Sequence, residues 1–385
     1  DRLRIAVEQH ELELHYQPRV SLREQHVEGV EALLRWRHPE KGLLEPASFL
    51  PDIEHDDLIC TVGAWVLREA LTQQRRWREE GVPLAISVNV AARQFLDPHF
   101  MPNLEALLAE FPDRPAGGLA LEILETAAIE DIDRMTMLIM KCHKLDVRFA
   151  LDDFGTGYSS LAYLQRLPAD ILKIDRSFVN GMLGSRAGLA IVDAIVGLAS
   201  AFQCELVAEG IETIEQGELL ARMGCDSGQG YFVSRPLLAG QVLPWITGYR
   251  HPESWTSWGE GGLGNHDFPL VLAEFEHRCW IKDLIGATEG QRLRTPAEAI
   301  DDPTRCEFGR WLEQRGRKRY GRSPLLAEID TLRREVHAVG CRIHGKLGND
   351  SEARRHVPAL RELSDRLVGA LGRLQRGAAE SDVAP

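Results

Sequence analysis

The chain has 385 residues, of which 44% are hydrophobic and 27% are charged, as in a soluble globular protein with one large and one smaller domain. The net charge of −13 argues against a nucleic-acid polymer as partner, because such binding depends on Lys and Arg contacts to phosphates. Seven cysteines without a CxxC pair predict a reducing, cytoplasmic location rather than a disulfide framework. No apolar run approaches membrane-spanning length, and the first residue is Asp, so we expect a fragment without a membrane segment.

Strand-like and helix-like patterns alternate along the first two thirds of the chain. Two β-prone runs at 12–20 and 27–36, joined by a polar turn, predict a hairpin. The further predicted strands are 84–90, 119–124, 147–153, 169–175, 204–208 and 228–233. The helices predicted between them are 62–80, 104–111, 133–145, a short one ended by Pro168, 188–202 and 216–223. This alternation predicts an α/β fold, a (β/α)₈ barrel similar to the TIM barrel.

The most informative stretch is the strand that ends in Asp152-Asp153 and opens into a Gly-rich loop. Neighbouring side chains of a strand point to opposite faces, so both aspartates can serve one site only where the strand breaks into its loop. Glycines permit such a break. The alternative interpretation is an ordinary turn that begins with Asp.

Polar side chains also stand toward the carboxyl ends of the other predicted strands. Together with the aspartate pair they are Asn89, Glu122, Asp152, Asp153, Lys173, Glu209 and Gln229. In a (β/α)₈ barrel these ends form the catalytic rim, and crowded carboxylates repel one another unless cations hold them. Oxygen ligands favour Mg²⁺ or Mn²⁺, and an aspartate shared by two ions suits phosphoester hydrolysis. Lys173 could order or deprotonate the attacking water, and Arg35 and Asn89 could hold phosphate oxygens.

Five separate motifs carry a resemblance to a known family. They are Glu31-Ala32-Leu33, Asp152-Asp153-Phe154-Gly155-Thr156-Gly157, Leu172-Lys173-Ile174-Asp175, Ala208-Glu209-Gly210-Ile211-Glu212 and Gln229-Gly230-Tyr231. With them, residues 1–247 resemble the EAL family of cyclic di-GMP phosphodiesterases. The resemblance implies a TIM-like barrel with one antiparallel strand, and hydrolysis of cyclic di-GMP to linear pGpG with two Mg²⁺ or Mn²⁺ ions.

The resemblance also implies a role for each matching residue. The implied metal ligands are Glu31, Asn89, Glu122, Asp152, Asp153 and Glu209, with Asp152 and Asp153 on the second ion. The implied catalytic and supporting residues are Glu31, Lys173, Glu209, Glu125, Glu212 and Gln229. Among these, Lys173 and Glu209 would act on the water, and Glu125 would fix the loop after the aspartate pair. The implied nucleotide contacts are Gln17, Arg35 and Asp175.

The last third of the chain has a different composition. Residues 248–266 contain five glycines and no periodicity, which predicts a linker. Helical patterns follow at 268–285, 306–315, 325–347 and 355–374. They predict an all-α four-helix bundle over 267–376, followed by a disordered tail at 377–385.

This region resembles the chemoreceptor zinc-binding (CZB) family, in which three His and one Cys bind Zn²⁺. The resemblance is carried by His277-Arg278-Cys279-Trp280, Cys306-Glu307-Phe308-Gly309-Arg310-Trp311-Leu312 and Val336-His337-Ala338. It implies His277, Cys306 and His337 as zinc ligands, whereas Arg333 stands where the fourth ligand, a histidine, is expected. Cys341, one turn after His337, could replace it, or a water could, or the domain binds no zinc.

The sequence therefore predicts a cytoplasmic, homodimeric cyclic di-GMP phosphodiesterase. Its activity is predicted to change with zinc or with the redox state of Cys306. Two alternatives stay open at this point: a cyclic di-GMP receptor without turnover, and a metal sensor whose barrel only transmits the signal.

Overall fold

The computed structural model describes residues 2–129, 131–156, 164–256, 268–293, 295–321 and 323–382. The chain divides into two compact units, Asp1–Ser257 and Trp258–Pro385. Part of the predicted linker and the start of the predicted helix before Pro168 lie outside the described residues.

The described strands all belong to the first unit. In chain order they are β1 (Leu12–Ser21), β2 (Val27–His38), β3 (Gly42–Leu44), β4 (Ala85–Asn89), β5 (Leu119–Leu124), β6 (Val147–Phe154), β7 (Ile171–Ile174), β8 (Glu205–Ala208), β9 (Ser227–Gly228) and β10 (Leu237–Leu238).

The helices of the first unit lie mostly between these strands. They are α1 (Arg2–Glu8), α2 (Leu58–Glu79), α3 (Ala92–Phe95), α4 (Phe100–Ala109), α5 (Glu125–Ile129), α6 (Ile132–Lys144), α7 (Arg176–Met182), α8 (Arg186–Phe202), α9 (Ile214–Met223), α10 (Ala239–Gly248) and α11 (Glu253–Thr256). Among the described helices of either unit, none combines the length and the apolar character needed to cross a membrane.

Eight strands close into a barrel in the order β1, β2, β4, β5, β6, β7, β8, β9 and back to β1. β1 is antiparallel to both β2 and β9, whereas the other neighbours run parallel. The predicted hairpin and the predicted barrel with one antiparallel strand are thus confirmed. The last strand of the barrel, β9, is shorter than predicted: it ends at Gly228, and Gln229 follows it.

The barrel interior is filled with side chains below the rim. Ala120, Ala150, Ile171 and Val207 form a buried cluster there. Each lies two residues before a polar residue of the rim, on the same face of its strand, because strand side chains alternate with period two. The barrel is therefore a packed support for the polar residues above it.

The segment after α10 is packed on the barrel unit. Nε2 of His251 lies 3.0 Å from the carbonyl oxygen of Ser21, and the buried indole N–H of Trp255 donates to the carbonyl of Ile214 at 2.9 Å. A Cβ at Gly217 would come within 2.1 Å of the Trp255 ring, so glycine leaves the space that the indole fills. The first part of the predicted linker therefore belongs to the first unit, which corrects that boundary.

The described residues of the second unit form helices and the loops that connect them. Its helices are α12 (Phe268–Thr288), α13 (Ala297–Asp301), α14 (Glu307–Trp311), α15 (Arg317–Tyr320), α16 (Pro324–His344), α17 (Asp350–Arg354) and α18 (Val357–Asp382). They share an apolar core to which Leu284, Ile329, Val336 and Leu367 contribute fully buried side chains. α18 continues to residue 382, into the region predicted as a disordered tail.

Candidate active site

The polar rim of the barrel is organised around the fully buried ammonium group of Lys173 on β7. Its Nζ lies 2.6 Å from Glu122 Oε2 and 2.6 Å from Glu209 Oε1. The same atom lies 3.2 Å from Asp152 Oδ1 and 3.5 Å from Glu31 Oε2. These carboxylates come from β5, β6, β2 and the end of β8, so four separate strands direct them to one cation.

One lysine cannot balance four carboxylates, and the pKa values of the group show this excess of negative charge. Burial, together with the charges of Glu31 and Asp152, raises the pKa of Glu122 to about 8 despite Lys173. Burial also raises the pKa of Glu209 well above its usual value. Burial acts to lower the pKa of Lys173, but the surrounding carboxylates outweigh it and hold that pKa well above 10.5.

Two amide side chains hold the carboxylates in position. Nδ2 of Asn89 donates to Glu31 Oε1 at 2.7 Å. Nε2 of Gln229 donates to Glu31 Oε2 at 2.6 Å and to Glu209 Oε1 at 3.0 Å. These bonds stabilise the charged form of Glu31. Although burial acts to raise its pKa, Lys173 and the two amides lower it below the usual value.

The aspartate pair sits where β6 breaks. The pairing of β6 with β7 shifts register between Leu151 and Phe154, and Asp153 adopts a φ of 53°. This left-handed conformation is uncommon for residues other than glycine, and it lets the consecutive side chains of Asp152 and Asp153 point toward the same site. Carboxylate oxygens of Asp152, Asp153 and Glu209 lie within 4.8 Å of one another. Burial and the Asp152 charge raise the pKa of Asp153 to about 6.

The rim fits hard divalent cations on two grounds. Its ligands are carboxylate and amide oxygens, which Mg²⁺ and Mn²⁺ prefer. Its buried negative charge exceeds what Lys173 neutralises, and a bound dication would remove that excess.

Glu125, at the start of α5, fixes the turn that follows the aspartate pair. Its Oε2 accepts the backbone N–H of Gly155 at 2.8 Å, and Gly155 has a φ of 96° that favours glycine. A backbone bond to a charged carboxylate is stronger than one to a neutral amide.

We expect Glu125→Gln to reduce the turnover rate at this site about tenfold, because the bond to Gly155 weakens by about 1.4 kcal/mol. The Mg²⁺ concentration needed for half-maximal activity should rise, since the turn positions Asp153. Steady-state kinetics at varied Mg²⁺ would check this. Leu124→Ala, at the neighbouring exposed position, should leave both quantities unchanged. Normal kinetics of Glu125→Gln would show that Gly155 needs no charged partner.

The residues predicted to contact a nucleotide lie in three different environments. Nε2 of Gln17 donates to the carbonyl of Ser234 at 3.1 Å. Nη1 of Arg35 donates to the carbonyl of Leu34 at 2.8 Å, and the residue is 9% exposed. Asp175 caps α7 by accepting the N–H of Ser177 at 3.1 Å.

Two further residues of the rim differ from the expectations. Glu212 accepts a long bond of 3.4 Å from Asn180 Nδ2, and none of its described bonds reaches the carboxylates around Lys173. Tyr231 was quoted as the last residue of the Gln229-Gly230-Tyr231 motif but was given no role. It is 54% exposed, and the Arg235 guanidinium lies 4.3 Å from its ring centroid.

The second unit does not gather its predicted zinc ligands. Nε2 of His277 lies 3.0 Å from Ser364 Oγ, and Nδ1 of His337 lies 3.0 Å from the carbonyl of Ile300. Cys341 Sγ donates to the same carbonyl at 3.4 Å. A tetrahedral zinc ion needs its ligand atoms within about 4 Å of one another. Among the described residues, the four predicted side chains include no three whose ligand atoms lie within 4.8 Å of one another, so in this arrangement they do not form a zinc site.

Comparison with known proteins gives matches to the first unit. A family profile described as the EAL domain matches residues 1–236. The bifunctional diguanylate cyclase/cyclic di-GMP phosphodiesterase MucR of Pseudomonas aeruginosa is 44% identical over 242 residues, which cover 63% of this chain and 35% of that protein. The cyclic di-GMP phosphodiesterase PdeR of Escherichia coli is 35% identical over 249 residues, covering 64% and 37%.

A solved structure shows the same barrel. It is described as the PaMucR phosphodiesterase in complex with c-di-GMP, is 43% identical, and aligns with a TM-score of 0.60 over 62% of this chain and 97% of that one. The chain spans little more than a third of the length of the two curated relatives.

Proposed function

The chain belongs to the EAL domain family, and we propose that it hydrolyses one phosphodiester bond of cyclic di-GMP to give linear pGpG. The observation that carries this proposal is the buried carboxylate group around Lys173 at the carboxyl rim of the barrel. The relatives named as cyclic di-GMP phosphodiesterases support the choice of substrate.

Two divalent cations, Mg²⁺ or Mn²⁺, complete the proposed site and supply Lewis acidity toward the phosphate and the attacking water. The residues that would hold them are Glu31, Asn89, Glu122, Asp152, Asp153 and Glu209. The excess negative charge of the metal-free rim supports this assignment.

The protein's own side chains would orient the water and move its proton. Glu209 is suited to accept the proton because its carboxylate lies at the rim, 2.6 Å from the Lys173 ammonium. Gln229 holds the Glu209 carboxylate by a bond of 3.0 Å. Lys173 would stabilise the negative charge that develops as water oxygen bonds to phosphorus and the bond to the 3′ oxygen breaks.

The substrate would lie over the rim between the loops that follow the strands. Arg35 is suited to a phosphate oxygen because its guanidinium donates in a planar fork. We place Gln17 and Asp175 at the nucleotide, and the exposed ring of Tyr231 is suited to stacking on a base.

We infer that the second unit regulates this activity in a homodimer, as a four-helix bundle related to the CZB family. The matched residues around Cys306 and the buried helical core support this inference. The state of the Cys306 thiol is the signal favoured over zinc, since no three of the predicted zinc ligands lie within 4.8 Å of one another among the described residues. All seven cysteines are unpaired thiols, which supports a cytoplasmic location.

The direct test is to incubate the purified chain with cyclic di-GMP and Mg²⁺ or Mn²⁺, and to follow pGpG by chromatography. We expect turnover with either ion and none with a chelator. Binding of cyclic di-GMP without turnover under any metal would instead identify a receptor. Metal binding without any nucleotide binding would identify a sensor whose barrel only transmits.

A further inference from the structure

Arg333 on α16 occupies the position where the resemblance to the CZB family places a zinc-binding histidine. Its side chain is 3% exposed, so the guanidinium is a buried charge. Nη2 donates to Asp330 Oδ1 at 2.7 Å, and Nη1 donates to the carbonyl of Pro303. The bond to Pro303 ties α16 to the loop that precedes α14, and the bond to Asp330, on α16 itself, orients the guanidinium.

The fit around this guanidinium is close. A Cβ at Gly309 would come within 3.0 Å of Arg333 Nη1, so the glycine leaves room for the arginine. The N–H of Gly309 donates to Cys306 Sγ at 3.2 Å. Arg333 therefore packs against the same short loop that carries the thiol predicted to bind zinc.

Arg333 also lies near a second predicted ligand. His337 follows it by one turn on α16, and both side chains are buried. The imidazole of His337 packs against Trp280, with ring centroids 4.8 Å apart.

The net charge at this position is positive. Asp330 lies 2.6 Å from Arg334 and 3.3 Å from Arg317, in addition to its bond with Arg333. Arg317 also pairs with Glu313 at 2.9 Å, so three guanidinium groups face two carboxylates. A divalent cation placed beside them would meet repulsion in a poorly solvated site, where charges interact more strongly than in water.

We propose that Arg333 is a built-in cation that takes the structural place of the zinc ion. It joins α16 to the loop before α14 by a hydrogen bond, and the second unit folds and functions without metal. The chemistry differs from that of zinc in one respect: the Cys306 sulfur stays unligated, and no metal shields it.

The test adds Co²⁺ to the chelator-treated full chain and records the thiolate-to-cobalt charge-transfer absorption, which oxygen ligands of the barrel do not produce. Zinc bound per chain is measured in parallel by mass spectrometry. We expect no thiolate band in the natural chain, and the same zinc content in the natural chain and in Cys306→Ala. Arg333→His should gain the band and one metal ion per chain, and the added Cys306→Ala substitution should abolish both.

A thiolate band in the natural chain that Cys306→Ala removes would overturn the proposal. So would an Arg333→His protein that is folded by circular dichroism yet gains no metal. If Arg333→His does not fold, the comparison of the natural chain with Cys306→Ala still decides. Arg333→Gln then gives a second measure: it should melt at a lower temperature, and added zinc should not restore the loss.

Discussion

Replacing Glu31 by glutamine is expected to reduce the turnover of cyclic di-GMP by at least about a hundredfold. The carboxylate lies at the centre of the rim, where Asn89, Gln229 and Lys173 all contact it. Glutamine keeps the shape but loses the charge that a metal ligand needs. Turnover should be measured at saturating Mg²⁺, so that weaker metal binding and a slower chemical step are separated.

The same substitution should lower the stability of the metal-free protein. The pKa of Glu31 is held below its usual value, so the charged carboxylate favours the folded state, and glutamine has only one acceptor oxygen for the bonds from Asn89 and Gln229. Thermal melting in a chelator measures this. Glu28→Gln is the matched control, because Glu28 lies three residues before Glu31 on β2 and pairs with Arg19 and Ser227 rather than with Lys173. Its turnover should stay within twofold. Full activity of Glu31→Gln would remove Glu31 from the catalytic site.

Replacing Lys173 by methionine should lower stability more than Glu31→Gln does, while also abolishing most of the activity. The methionine leaves buried carboxylates without their cation, and breaking a buried ion pair costs about 3–5 kcal/mol. Turnover should decrease by about 10²–10⁴, the contribution of a positioned proton-transfer or charge-stabilising group.

Mg²⁺ should restore part of the lost stability of Lys173→Met, because bound cations replace the missing charge and stabilise the folded state by mass action. Melting curves at increasing Mg²⁺ would show this. Lys144→Met, an exposed position on α6, serves as the control and should match the natural chain. A melting temperature of Lys173→Met that equals the natural one in chelator would mean that the rim carboxylates take up protons instead.

The barrel could be predicted from the sequence because the two patterns that indicate it, the alternation of strands with helices and the placement of polar residues near strand ends, are local. Period-two strands and period-3.6 helices alternate regularly, and the polar residues stand at matching places near strand ends. Glu122, Asp152 and Lys173 share a strand face with the small or apolar residues two positions before them, so their meeting at the rim follows from the barrel alone.

Other features depended on contacts between distant parts of the chain and could not be predicted. Residues 249–256 were predicted as part of a linker, yet Trp255 occupies a space over Gly217 that only the folded barrel creates. Lys173 was predicted as one polar residue among seven, whereas its place at the centre of four carboxylates is a property of the closed barrel. Arg333 was recognised as a missing ligand, but its bonds to Pro303 and Asp330 appear only in the fold.

The antiparallel strand β1 has a consequence for how the barrel is made in the cell. Its two edges pair with β2, the next strand to be synthesised, and with β9, which follows more than 200 residues later. On the ribosome, the hairpin of β1 and β2 can form early, but one edge of β1 stays open until residues 227–228 have emerged. Contacts of such long sequence separation slow folding and leave strand edges exposed to aggregation. The hairpin is therefore the part of the nascent chain that a chaperone would be expected to protect.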